Sequence, residues 1–147
     1  MTGLDAPRAN EAVWRLLFGA WLIALVSTFS VLFVGEILGQ TPCVLCWYQR
    51  AFMFPLTVVL AVACYRSDGA VWRYALPLAA IGGTIALWHT LVFSGLAPTA
   101  LEPCGAGPSC SSANMTILGG VPLPLLSVGA FGAIGILLQI VRKKTPQ

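Results

Sequence analysis

The first long apolar run of this chain is long enough to cross a lipid bilayer. Residues 16–34 contain no charged side chain, and a spanning helix needs about 20 mainly apolar residues. The run also exceeds the roughly 7–15-residue core of a cleavable signal peptide, so we expect it to remain as a span. Three further apolar stretches follow it. The sequence therefore predicts four spans, at about residues 14–38, 44–64, 74–96 and 121–141.

The composition agrees with a membrane environment. Apolar residues make up 58% of the chain and charged residues only 9%, whereas soluble domains carry about 25% charged residues. A chain of 147 residues has room for one compact unit. We therefore predict an all-α membrane protein, in which residues 1–147 form a single up-and-down bundle of four transmembrane helices.

The basic residues predict the orientation of the bundle. In a four-span chain, 7 of the 8 Lys and Arg residues fall in segments on one side of the membrane: Arg8, Arg15, Arg66, Arg73, Arg142, Lys143 and Lys144. The positive-inside rule makes that side the cytoplasm, so both termini are expected there. This distribution follows topology and gives no reason to expect a nucleic-acid partner. The eighth basic residue, Arg50, lies in the outward half of span two, where topology does not explain it.

Four of the five cysteines fall on the predicted outer side, where disulfides persist. Cys43 and Cys46 open span two, and Cys104 and Cys110 lie in a long Gly- and Pro-rich outer loop, residues 97–120. A Cys-x-x-Cys pair at a helix N-terminus shares one helix face, and the helix dipole favours the thiolate and so a lowered pKa. These features favour redox chemistry. Structural disulfides or half of a metal site are the alternatives, but the cysteine spacing and single histidine match zinc patterns poorly, and we expect no metal.

Two ionisable residues are predicted to lie at one depth beneath the first thiol pair. Arg50 follows Cys46 by four residues, on the same helix face, and His89 lies a similar distance below the outer end of span three. Alone, either has an ordinary explanation: an arginine reaching the headgroups, or a histidine bonded to a backbone carbonyl. Together they outline a polar pocket at the lipid boundary that suits a quinone, whose carbonyls need hydrogen-bond donors. Glu36 is expected to pair with Arg50, to relay protons or to lie among the headgroups.

The run Pro42-Cys43-Val44-Leu45-Cys46-Trp47-Tyr48-Gln49-Arg50, followed by Met53-Phe54-Pro55-Leu56, resembles the signature of the DsbB/BdbC disulfide-forming membrane proteins. The likeness is closest to the short BdbC-type branch. It extends to Gly35-Glu36-Ile37, His89, the loop sequence from Pro103 to Ser111 and the Pro-rich entry to span four, and covers roughly residues 14–141.

This resemblance implies a thiol:quinone oxidoreductase in the bacterial cytoplasmic (inner) membrane, with its redox cysteines facing the periplasm or the cell exterior. The partner would be an exported, DsbA-like thiol oxidase of thioredoxin fold, and the final electron acceptor ubiquinone or menaquinone. By position, Cys104 would form the mixed disulfide with the partner and Cys43 would exchange with Cys110. Cys46 would face the quinone, which Arg50 and His89 would bind. The alternatives are a quinone reductase of the vitamin K epoxide reductase type and a non-enzymatic, disulfide-stapled scaffold.

Overall fold

The computed structural model describes residues 5–96, 116–117 and 121–145, with side chains for residues 10–96 and 121–145. In chain order the elements are helix α1 (Asp5–Leu32) with a π-helical turn (Phe33–Ile37), helix α2 (Val44–Arg66), a 3₁₀ turn (Gly69–Val71), helix α3 (Trp72–Phe93), strands β1 (Thr116–Ile117) and β2 (Val121–Pro122), and helix α4 (Leu123–Lys144). The two short strands pair in antiparallel fashion immediately before α4. Cys104 and Cys110 lie outside the described residues.

Four stretches of the described chain are long and apolar enough to cross a membrane: Asn10–Ile37, Val44–Arg66, Gly69–Phe93 and Leu123–Lys144. The prediction of an all-α membrane fold with four spanning helices is therefore confirmed. The third span begins earlier than predicted, because the 3₁₀ turn runs directly into α3 at Trp72. Pro55 and Pro77 lie inside α2 and α3.

The helices form a ring in which each packs mainly on its two neighbours, with α4 closing against α1. The buried positions recur every three or four residues, the spacing that keeps one helix face toward a partner. In α1 these positions are Val13, Leu17, Ala20 and Ala24; in α2 they include Met53, Leu56, Leu60 and Ala63; in α3 Ala75, Ala79, Gly82, Ala86 and His89; in α4 Phe131, Ile134, Leu138 and Val141. Small residues on α3 allow close approach: a Cβ at Gly82 would overlap the ring of Phe131.

The two ends of the described chain meet at one end of the bundle. A Cβ at Gly69 would lie 2.7 Å from the Thr145 hydroxyl and 3.3 Å from Val13. At the same end, the Arg142 guanidinium lies 5.0 Å from the centre of the Trp72 ring. This end carries the basic residues, so the geometry agrees with the predicted topology, while the assignment of this end to the cytoplasm stays a prediction.

Helix α2 starts at the opposite end of the bundle, and Cys43 is its N-cap residue. The backbone of Cys43 is extended (φ −71°, ψ 170°), and helical geometry begins at Val44. Pro42 therefore lies just before the cap. This position sets the first thiol directly at the start of the helix.

Candidate active site

Cys43 and Cys46 form a close pair at the first turn of α2. Their sulfur atoms are 3.4 Å apart, which is a contact between two thiols, since a disulfide bond measures about 2.05 Å. The structure therefore describes the reduced pair. Cys43 is buried, with 1% of its surface exposed, whereas Cys46 is only partly buried. The two thiols thus differ in their access to the surroundings.

The environment of Cys43 opposes ionisation of this thiol. The hydrogen bond with Cys46 and the loss of hydration on burial raise the pKa of Cys43 from 9.0 to about 12, while the contact with His89 acts in the opposite direction. A lowered pKa at the helix N-terminus was expected from the sequence, and for Cys43 in the reduced pair that prediction is wrong. Burial beside a second thiol outweighs the helix dipole, whose effect on a neighbouring charge is typically about 0.3–1 kcal/mol.

His89 reaches the thiol pair from α3. Its Nε2 atom lies 3.7 Å from the Cys43 sulfur, and its Nδ1 atom lies 2.9 Å from the Nε2 atom of Gln49. In this arrangement the Gln49 amide donates to Nδ1, so the neutral ring carries its proton on Nε2 and presents it to Cys43. Gln49 and His89 are both buried, with 7% and 1% of their surfaces exposed. The three side chains form a continuous polar chain inside an apolar bundle.

Arg50 lies about one helical turn beyond Cys46 on α2, and its side chain reaches toward α1. Its Nη2 atom donates a hydrogen bond of 2.9 Å to the backbone carbonyl of Val31, and its guanidinium lies 5.3 Å from the centre of the Trp47 ring. Among the described side chains the ion-pair distance is met only between Glu11 and Arg15, so Glu36 does not neutralise Arg50. The guanidinium has five N–H donors, and the bond to Val31 uses one of them.

The π-helical turn at the end of α1 provides the space for this arginine. A π-helix is wider than an α-helix, because each N–H bonds to a carbonyl five residues back, and such turns are frequent at functional sites. Here the backbone N–H of Leu38 donates to the Phe33 carbonyl at 3.2 Å. Gly35 lies in this turn, and a Cβ at that position would lie 3.1 Å from Nη2 of Arg50. The turn and its glycine therefore form one wall of the arginine site.

A cavity of about 430 Å³ connects these groups, a size within the roughly 300–1,000 Å³ of small-molecule sites. Cys46, Arg50 and His89 contribute to its lining, and most of the remaining wall is apolar and comes from α1 and α4. Two lining residues, Val26 on α1 and Leu126 on α4, are 57% and 51% exposed. The cavity therefore reaches the outer, lipid-facing surface of the bundle between these two helices.

The sequence pointed to the principal side chains but not to all of their contacts. Arg50 and His89 line one cavity with Cys46, as their predicted depths suggested, although His89 also touches Cys43. Sequence reasoning did not identify Gln49. The available signal was an amide side chain within an apolar span, four residues before Met53 and so on the same helix face. Cys64 lies near the opposite end of α2, roughly 30 Å from Cys43 at 1.5 Å per residue. Glu36 is exposed, which fits a headgroup position.

The sequence matches a known family over most of its length. A family model described as "Disulfide bond formation protein DsbB" matches residues 10–141. The chain belongs to the DsbB family. Membership makes it a membrane protein of disulfide bond formation and implies an oxidoreductase, so the resemblance inferred from the Cys-x-x-Cys segment is confirmed.

Similar proteins carry names that agree with this family. A probable disulfide formation protein of Metapseudomonas resinovorans is 60% identical over 140 residues, which cover 95% of this chain and 97% of the relative. Disulfide bond formation protein C of Bacillus subtilis is 34% identical over 126 residues, covering 86% and 91%. A probable disulfide formation protein of Chlamydia trachomatis is 38% identical over 127 residues, covering 86% and 92%. No solved structure matches the chain.

Proposed function

We propose that this DsbB-family protein oxidises an exported thiol oxidase of thioredoxin fold and passes the electrons to a membrane quinone. The observation that carries the proposal is the cavity in which a half-buried thiol, an arginine and a histidine meet at the lipid boundary. Family membership supports the disulfide chemistry, and the cavity supports the choice of electron acceptor. In this proposal the protein lies in the bacterial inner membrane and its site lies near the periplasmic face.

The cavity fits a quinone in both shape and chemistry. Its apolar wall and its opening between Val26 and Leu126 would let an isoprenoid tail remain in the lipid while the ring enters the bundle. Arg50 is the charged donor on this wall, and its hydrogen bond to Val31 fixes one edge of the guanidinium. Donors to a carbonyl that gains negative charge are most effective in such a dry site. Bound there, a quinone supplies a two-electron, two-proton acceptor.

The two thiols are placed for different tasks. Cys46 lines the cavity and is the thiol that faces the acceptor. Cys43 lies behind it, against His89, and is the thiol that exchanges with the second cysteine pair. The Nε2–H of His89 can stabilise a Cys43 thiolate when a disulfide to this sulfur is broken. Cys104 and Cys110 would pass the partner's electrons to Cys43, as the family pattern implies.

The overall reaction balances without a further reactant. The partner's two thiols lose two electrons and two protons and become one disulfide. Thiol–disulfide exchange moves the electron pair through Cys104 and Cys110 to Cys43 and Cys46, because each exchange forms one S–S bond as it breaks another. Cys43 and Cys46 would give up both electrons and both protons to a quinone held beside Arg50 and His89 and would return to the disulfide, so that a quinol would be the product.

Turnover by the purified full-length protein in lipid nanodiscs tests the proposal. With a reduced thioredoxin-fold partner and either ubiquinone or menaquinone, we expect one partner disulfide for each quinol formed. Cys43→Ala and Cys46→Ala should abolish this coupled reaction, whereas Cys64→Ala, at the far end of the same helix, should retain it. Coupled turnover by Cys46→Ala, or partner oxidation without any quinol, would contradict the proposal.

A further inference from the structure

The reduced thiol pair and His89 lie close enough together to share one metal ion. The sulfur and imidazole nitrogen atoms of Cys43, Cys46 and His89 all lie within 4.8 Å of one another. With Zn–S bonds of about 2.3 Å and Zn–N bonds of about 2.0–2.1 Å, tetrahedral ligation separates two sulfurs by about 3.8 Å and a sulfur from a nitrogen by about 3.5–3.6 Å. The observed separations are 3.4 Å between the sulfurs and 3.7 Å from Cys43 to His89. Both separations are within about 0.4 Å of the tetrahedral values, and the third, between Cys46 and His89, is no more than 4.8 Å.

We propose that the reduced protein binds one Zn²⁺ through Cys43, Cys46 and His89, and that this metal-bound form is withdrawn from disulfide exchange. The sequence argued against a zinc site because the cysteine spacing and the single histidine match zinc patterns poorly. The fold brings a third ligand to the pair from α3, 43 residues after Cys46. The withdrawal from exchange rests on the proposed function, whereas binding itself rests on the geometry alone.

The charge of the three ligands suits an apolar site. Two thiolates and a neutral imidazole give a complex with Zn²⁺ that has no net charge, so little of the cost of burying an ion remains. Binding releases the two thiol protons to solvent and involves no electron transfer. Cys46 and His89 both line the cavity, so a water on the cavity side can complete the tetrahedron. The oxidised pair offers no thiolates and is not expected to bind.

Gln49 can support His89 in either state of the site. In the dithiol form its amide nitrogen faces Nδ1 of His89 at 2.9 Å. Rotation of the terminal amide by half a turn would place its oxygen there, to accept an Nδ1–H bond, and would leave Nε2 free to ligate. Metal-bound histidines nearly always donate their other N–H to such an acceptor, and loss of the acceptor typically costs about 10- to 100-fold in metal affinity.

Cobalt binding to the reduced full-length protein tests the proposal. Co²⁺ replaces Zn²⁺ in thiolate sites and gives a thiolate-to-metal charge-transfer band in the near ultraviolet. We expect one Co²⁺ per chain, displaced by Zn²⁺, in the unaltered protein and in a Cys104→Ser/Cys110→Ser variant. Cys43→Ser, Cys46→Ser and His89→Ala should each lose the band, Gln49→Leu should bind about 10- to 100-fold more weakly, and Gln49→Glu should retain binding. Cys64→Ala is the matched control and should bind normally.

Each outcome bears on the proposal. A band that survives His89→Ala, or that disappears with Cys104→Ser/Cys110→Ser, would assign the metal to other ligands and overturn the inference. Binding that is unchanged in the oxidised protein would do the same. His89→Gln, scored for thermal unfolding beside His89→Ala, separates the loss of a ligand from a loss of fold. Absence of cobalt binding in a protein with normal quinone turnover would refute the zinc site and leave the proposed function standing.

Discussion

Replacing Arg50 by methionine should damage the quinone half of the reaction and little else. In the structure Arg50 makes one hydrogen bond to the Val31 carbonyl, at 2.9 Å, and one cation–π contact with Trp47, at 5.3 Å. These contribute about 1.5–3 kcal/mol for a hydrogen bond to a charged group and about 0.5–1 kcal/mol for the stacking. Removing a charged side chain from a membrane span stabilises the protein by about 2.5–3.5 kcal/mol, which offsets these losses. We therefore expect the free energy of unfolding to change by no more than about 1.5 kcal/mol.

The effect on turnover should be much larger than the effect on stability. If Arg50 donates one charge-assisted hydrogen bond to the quinone, its loss costs about 1.5–3 kcal/mol. Because each 1.4 kcal/mol is a factor of ten, kcat/KM for quinone should fall about 10- to 150-fold. Exchange between the reduced partner and the oxidised cysteines, which does not involve Arg50, should keep its rate.

Two measurements on the same preparation separate these steps. Quinone reduction is followed by ultraviolet absorbance, and the exchange step by acid-trapping and alkylation of the partner in the absence of quinone. Arg73→Met is a matched control, because Arg73 also lies over a tryptophan, at 5.7 Å, but lies outside the cavity lining. An unchanged kcat/KM for quinone in Arg50→Met, or an equal loss of both steps, would refute the role assigned to Arg50.

Three further substitutions follow from the packing. Gly35→Ala should weaken quinone use in the same sense as Arg50→Met but by less, up to about tenfold, because its methyl group would press on the guanidinium; rates at varied quinone concentration would show this as a raised KM. Gly82→Ala should destabilise the bundle by up to about 2 kcal/mol, which thermal unfolding in detergent would measure. Overpacking against Phe131 costs about 1–3 kcal/mol, and the higher helix propensity of alanine offsets about 1 kcal/mol of this. Cys64→Ala should leave coupled turnover within about twofold of the unaltered protein, because Cys64 lies near the far end of α2 and does not line the cavity.

An open glycine provides the control for the packing argument. No heavy atom would lie within 4 Å of a Cβ at Gly129, on the same helix as Phe131. Gly129→Ala should therefore gain up to about 1 kcal/mol from helix propensity, opposite in sign to Gly82→Ala. Equal effects of the two substitutions would show that propensity, and not contact with the ring, decides the stability. A Gly35→Ala variant with unaltered quinone KM would likewise contradict the close approach to Arg50.

The sequence predicted the fold well because the membrane leaves few alternatives. Apolar runs of spanning length must become helices in lipid, and four such runs in one chain form a bundle. The positions of Arg50 and His89 at a similar depth followed from a fixed rise per residue. Contacts between helices did not follow, because they depend on how each helix is rotated about its axis. Gln49 is an example: its partner His89 lies 40 residues away on another helix.

The local departures from a regular helix were also beyond sequence reasoning. Phe33–Ile37 forms a π-helical turn, yet no residue type in that segment specifies one. The pKa of Cys43 depends on the second thiol and on burial, neither of which a sequence reveals. The roles assigned to Cys104 and Cys110 stay predictions, because they fall outside the described residues.

The wide turn at Phe33–Ile37 is the last turn of the first span, because the chain leaves helical geometry beyond it. Residues 38–43 connect this turn directly to the N-cap of α2 at Cys43. Removing one position from the turn would shorten the path between the wall of the arginine site and the first thiol, and this short connection would have to stretch. An insertion or deletion here should therefore be less well tolerated than an exchange of one apolar side chain for another.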